Sequence, residues 1–229
     1  MRAPVASDLA PGLALSPGAT LGRDVVLGAN VVIHDGVTIG DGCEIADGAV
    51  LGRAPRFGPR SRWSGVADTD LLTIEAGVTI APGAIVMAGA RIRAGAIVGN
   101  HAAVREGAVI GPESVLGHCV SIGPETRLGA RVRVFNNTVL GPLTLVEDEV
   151  DVAVNVSTTT RSWGADDAPD RPVVLRRGCR VGTAAVLMGG VEVGAGAVVG
   201  ACSLVDADVP AGAVVAGTPA RAIRRSERG

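Results

Sequence analysis

From Ile74 to Val152 every sixth residue is aliphatic: Ile74, Ile80, Val86, Ile92, Val98, Val104, Ile110, Leu116, Ile122, Leu128, Val134, Leu140, Val146 and Val152. Four places after each comes a small or β-branched residue, among them Val78, Ala84, Ser114, Thr126, Val132 and Val156. Gly, Pro, Asn and Asp crowd the places between. The same step runs through Leu9, Leu15, Leu21, Leu27, Ile33, Ile39, Ile45 and Leu51 before this stretch, and through Leu175, Val181, Leu187, Val193, Val199 and Val205 after it. A period of six is neither the 3.6 of a helix nor the 2 of a lone strand. Six residues make one short strand and one corner, and three such units close a triangular coil of 18 residues. Stacked coils are parallel strands ~4.8 Å apart. Each coil contacts only its neighbours, and the two ends need caps.

The frame breaks twice, from Leu51 to Ile74 and from Val152 to Leu175. Both gaps are 23 residues, one hexad plus 17. The expected organisation is an all-β chain: one parallel β-helix domain over 1–210, with loop excursions at about 53–73 and 158–174, and a short C-terminal tail over 211–229. The core must come from Val, Ile, Leu and Ala, because only 2% of residues are aromatic and none is Tyr. Each aliphatic side chain so buried contributes ~1.5–3 kcal/mol.

Charge excludes some classes. The formal net charge is −2, and every basic residue is Arg. No basic block interleaved with rings points to nucleic acid, which needs charge for phosphates and rings for bases. No apolar run reaches the ~18 residues of a membrane span. The opening "MRAPVASDLAPGL" lacks the apolar core of a signal peptide, and Cys43, Cys119, Cys179 and Cys202 form no CxxC pair. The expectation is a reduced, cytoplasmic protein with no nucleic-acid or membrane partner.

A coil of 18 places residue n beneath residue n+18. One corner then reads Pro82-Gly83, Asn100-His101, His118-Cys119, Asn136-Asn137, Val154-Asn155. The other two corners are mostly Ala, Gly, Pro and charged residues. Asn suits the left-handed backbone of turns, and stacked Asn side chains bond to one another. Turn chemistry therefore accounts for each Asn singly, but not for His and Cys in the same line. This corner is expected to line a site. His34, in another stretch, reads as a surface histidine.

The hexad "[LIV]-G-x-x-[STAV]-x" resembles that of the left-handed parallel β-helix acyltransferases. The closing segment "GVEVGAGAVVGACSLVDADVPAGAVVAGTPARAI" (190–223) and "RPVVLRRGCRVG" (171–182) are similar to that family's last coils. The resemblance implies the left hand of the coil, a homotrimer, and acyl-CoA lying between neighbouring chains as co-substrate, with no metal. The stretch "VRVFNNTVLGPLTLVEDEV" (132–150) resembles the nucleotide-aminosugar N-acyltransferases. There the matching Asn and acidic pair contact the acceptor amine, which points to Asn137, Glu147 and Asp148, with Asn136 beside them. The loop "VSTTTRSWGADDAPDRP" is only loosely similar to that group's substrate loop and makes Arg161 and Trp163 candidates.

Acyl transfer from a thioester to an amine needs a path for one proton. A general base contributes typically 10²–10⁴-fold; His118 is the first candidate and His101 the second. Hydroxyl acetyltransferases of this fold carry a His in the loop that here spans 158–174. This chain has none there, which favours an amine. Arg176 as well as Arg177, Arg180 and Arg221, with Ala201 in the closing segment, are candidates for CoA, since Arg binds phosphate bidentately. The Arg-rich excursion 53–73, with Phe57 and Trp63, is expected to help cover the acceptor. The alternatives are an O-acetyltransferase of the same fold, a γ-class carbonic anhydrase-like metalloenzyme using all three His, and a non-catalytic scaffold.

Overall fold

The structure, a computed structural model, describes residues 5–7, 9–58, 71–160 and 171–223. They form a β-solenoid with the chain running through three sheets in turn, so that each triangular coil contributes one short strand to each face. The first face has eleven strands, beginning with Val5–Ser7 and Leu13–Leu15 and ending with Leu204–Val205. The second has nine, from Thr20–Leu21 to Glu192–Val193. The third has eleven, from Val26–Leu27 to Arg221–Ala222. Neighbouring strands along a face are parallel and 18 residues apart in register, as in Ile97↔Val115 and Ala103↔Ser121. This is the all-β parallel β-helix expected from the hexads, consistent with the left hand that the resemblance implies. Among the described residues no helix is long and apolar enough to cross a membrane.

Within the two-residue strands of the stacked coils the first residue points out and the second points in. The inward set from Ile74 to Val152 is buried throughout, and the residues two places before each fill the space near the corner. Cys43 and Cys179 occupy that small inward place. Burial pushes the Cys179 thiol up to about 12, so it packs as a small apolar group.

At three places the core departs from the hexad reading. Leu9 lies outside the strands and is 66% exposed. The first coil begins instead at Leu13, and Val5–Ser7 folds back antiparallel on Leu13–Leu15 as an end cap. Second, the two excursions differ in length. Across the first, partners stand 35 apart (Thr38↔Thr73), a 17-residue insertion; across the second they stand 29 apart (Ser157↔Val186), an insertion of eleven. The hidden hexad is Thr158, a polar residue in the inward register, buried to 6%. Its Oγ1 accepts the Gly141 N–H at 2.7 Å and lies 3.1 Å from Thr144 Oγ1. Leu72 likewise belongs to the core, not to the first excursion. Third, the last coil is two residues short. Val193 bridges Val209 and Val199 pairs with Val215, after which the chain turns back antiparallel through Arg221–Ala222. The strand Val214–Ala216 therefore extends the third face into the stretch expected as tail.

Both excursions leave from the same edge, the first corner, between the first and second faces. The first follows Val50–Arg53 and the second follows Ser157–Thr158, and each returns to a strand of the second face. Most of 53–73 and 158–174 lies outside the described residues, Trp63, Arg161 and Trp163 included.

Candidate functional site

The polar pairs stack as the period requires, along the third corner, between the third and first faces. Backbone bonds climb from coil to coil: His101 N donates to Pro82 O at 3.0 Å, Cys119 N to Asn100 O at 2.9 Å, Asn137 N to His118 O at 2.9 Å and Asn155 N to Asn136 O at 3.1 Å. Continued upward, the column reaches Thr183-Ala184 and Ala201-Cys202. The second residue of each corner has a left-handed backbone, with φ of 54° at His101, 56° at Cys119, 57° at Asn137 and 59° at Asn155. Glu113, Glu125, Arg131 and Leu143 do the same on the other corners. The conformation thus belongs to the coil and does not itself mark a site.

The side chains do distinguish this corner. His101, His118, Cys119 and Asn137 are exposed, and Asn100 and Asn136 are half-buried. Asn136 Oδ1 accepts the His118 N–H at 2.9 Å, so its amide NH₂ is the end left for a ligand. A Cβ on Gly117 would run into that Oδ1, which explains the glycine before His118. A Cβ on Gly83 would run into His101 Nδ1, so the His101 ring lies back over the coil below.

Glu147 and Asp148 are not on this corner. They lie at the second corner, between the second and third faces, separated from Asn137 by the width of the third face. Asp148 Oδ1 accepts Ala130 N at 2.8 Å, the same inter-coil staple that Asn136 makes and that Asp41 and Asp47 make near the N-terminus. Glu147 receives Arg176 Nη1 at 2.8 Å and the Arg177 N–H at 2.8 Å. The Arg176 guanidinium, then the Arg177 N–H, hold its carboxyl below the usual range. Arg176 also grips Glu192 with two bonds of 2.8 Å. Beside this cluster opens a cleft of about 440 Å³, reaching to Asp208 and Pro210.

The CoA candidates are dispersed. Arg177 is at the second corner, 3.2 Å from Glu149. Arg180 points outward from the third face. Ala201 stands on the polar column itself, and Arg221 pairs with Asp206 at 3.2 Å. His34 lies one face away from His101 and His118, beside the root of the first excursion. Burial, then the charge of Arg53, lowers its proton affinity. The three His therefore do not meet within one chain. Among the described residues no group of three or more His, Cys, Asp and Glu could hold a metal ion.

One residue of the site was missed in the sequence. The place just before each third corner is Gly28, Ala46, Ala81, Gly99, Gly117, Ala153, Gly182, Gly200 or Ala216, and, once, Phe135. It precedes Asn136-Asn137 directly and is 44% exposed. The eighteen-residue alignment carries this signal, in the column beside the polar pairs.

A family model described as bacterial transferase hexapeptide (six repeats) matches residues 18–53. A 55-residue stretch is 51% identical to the 2,3,4,5-tetrahydropyridine-2,6-dicarboxylate N-acetyltransferase of Staphylococcus aureus strain JH9. That match spans 24% of this chain and 23% of the relative. Among solved structures, LpxA from Acinetobacter baumannii superposes with a TM-score of 0.51 at 19% identity, over 94% of this chain and 74% of that one. This last likeness is one of fold.

Proposed function

As a hexapeptide-repeat protein of the bacterial transferase type, this chain is, we propose, a CoA-dependent N-acyltransferase, moving an acetyl or similar acyl group to the amine of a small acceptor. The observation that carries the reading is the third-corner column. On a scaffold whose repeat is shared with transferases, and with a stretch half identical to a named N-acetyltransferase, this edge alone stacks His101, His118, Cys119, Asn136 and Asn137.

The amine nitrogen attacks the thioester carbonyl, the C–N bond forms and the C–S bond breaks. His118 takes the amine's proton and returns it to the departing sulfur, so CoA leaves as the thiol. Asn137 and the free NH₂ of Asn136 orient the acceptor. A nucleotide-linked aminosugar is the acceptor that the 132–150 stretch favours. The enzyme is a cytoplasmic homotrimer. Apart from Arg53 at the end of Val50–Arg53, the outward residues of the first-face strands from Ala14 to Leu204 are uncharged, Val32, Ile85, Ala103 and Val139 among them, and such a face supplies one side of a closed ring contact. The excursions and the polar column sit on opposite edges of that face.

The test is release of CoA from acetyl-CoA in the presence of amine acceptors, with acetyl-CoA raising the melting temperature as a ligand of the folded state alone. No thermal shift and no CoA release with any amine would reject the reading.

A further inference from the structure

We infer that Phe135 is the platform on which the ring bearing the acceptor amine stacks, and that this ring is a pyranose; the inference rests on the acyl-transfer reading above. In the column before the third corner, every other coil carries Gly or Ala, so the fold itself asks for no aromatic there. Nor does the ring serve the core, since it stays 44% exposed. It is one of two Phe in a chain with 2% aromatics. Below it lie Gly117 and Gly99, which offer backbone without side chains. Beside these, Val115 and Ile97 are paired on neighbouring strands of the third face and are 37% and 41% exposed. The patch stops at Arg133, which is held by Asp151 at 2.6 Å.

An apolar step of this kind, bordered by Asn136, Asn137 and His118, has the make-up of a small-molecule site: apolar area with a few placed polar groups. Gly117, the residue before His118, lies directly against the Phe135 backbone, so a ligand that reaches His118 with its amine lies one coil from Phe135. The C–H face of a pyranose matches an aromatic face, while its hydroxyls and amine turn to the amides. An open-chain amine gains nothing from the ring.

The experiment measures CoA release from acetyl-CoA with UDP-glucosamine, glucosamine and ethanolamine, for the wild type and for Phe135→Leu and Phe135→Trp. Leu keeps apolar area but removes the aromatic face. KM for the two pyranose amines is expected to rise about tenfold in Phe135→Leu, in the range of an aromatic stacking contact, and to stay near wild type in Phe135→Trp. KM for acetyl-CoA, turnover with ethanolamine, melting temperature and mass in solution should not change. Equal pyranose KM values in wild type and Phe135→Leu overturn the inference, as does a wild type that accepts ethanolamine but neither pyranose. A fall in mass on substitution also overturns it, because the ring is then a subunit contact. Absence of CoA release with all three amines defeats the acyl-transfer reading instead.

Discussion

At the scale of residues, the third corner separates two duties that the sequence superposes. Asn136 has a structural task, since its Oδ1 holds the His118 N–H. Asn136→Ala should cost about 1 kcal/mol of stability, the scale of a lost cap, and lower the melting temperature by a few degrees. Asp148→Ala, which frees Ala130 N, should do the same without touching turnover. In the proposed reaction His118 takes the proton, and His118→Ala should then lower kcat ~10²–10⁴-fold. A loss under tenfold would mean that the amine deprotonates into water. For Asn137 and His101, whose φ values are 57° and 54°, glycine is the cleaner replacement, because alanine adds backbone strain to the missing side chain. Asn137→Gly should raise KM for the acceptor more than for acetyl-CoA. His101, lying back over Gly83, should matter far less than His118.

At the scale of elements, each strand is only two to four residues long, so the bonds made by corners and inward hydroxyls also tie adjacent coils. Thr158 is the sharpest case. Thr158→Val keeps the shape but leaves the buried Gly141 N–H without its acceptor, at a cost of about 1–3 kcal/mol; chemical denaturation measures it, and an unchanged midpoint would refute the staple. Arg176 ties three coils through Glu147 and Glu192, and its hydrogen bonds depress both carboxyls. A carboxyl with a depressed folded value binds protons more weakly folded than unfolded. Its stabilisation is therefore complete above the ordinary value of 4.5 and is lost as pH falls through the lower folded value. Melting temperature should drop below about pH 4.5, and Arg176→Met should flatten that drop while lowering the plateau above it. Were the two pH curves parallel, the acid sensitivity would come from elsewhere in the chain.

At the scale of the whole molecule, the coil stack carries exposed polar pairs on one edge and the roots of two insertions on another. The proposed function has a second copy cover the polar edge and turn it into a cleft. Light scattering at micromolar concentration should give the mass of three 22.9 kDa chains. Val139→Asp, placed on the uncharged first face where Val139 is 43% exposed, should reduce that mass and the activity together, with the melting temperature of the coil little affected. A monomer in the wild type would remove the intermolecular site.

The aliphatic period by itself determined the coil length, the parallel stacking, the inward set and the vertical alignment of Asn100, His118 and Asn136, because a repeat of six leaves a chain one way to bury a residue in every hexad. It misled where a polar residue stood in the inward register. Thr158 hid a hexad, so the second insertion read as seventeen residues and is eleven. Only the tertiary structure decided what the side chains at each corner bond to. It set Glu147 and Asp148 a face away from Asn137 and put both excursions on one edge, and it showed Asn136 spent on its neighbour's backbone. Sequence spacing fixes height along such a rod, but direction around it follows from the running count of corners, and that count shifts wherever an insertion departs or a buried hydroxyl takes the place of a methyl.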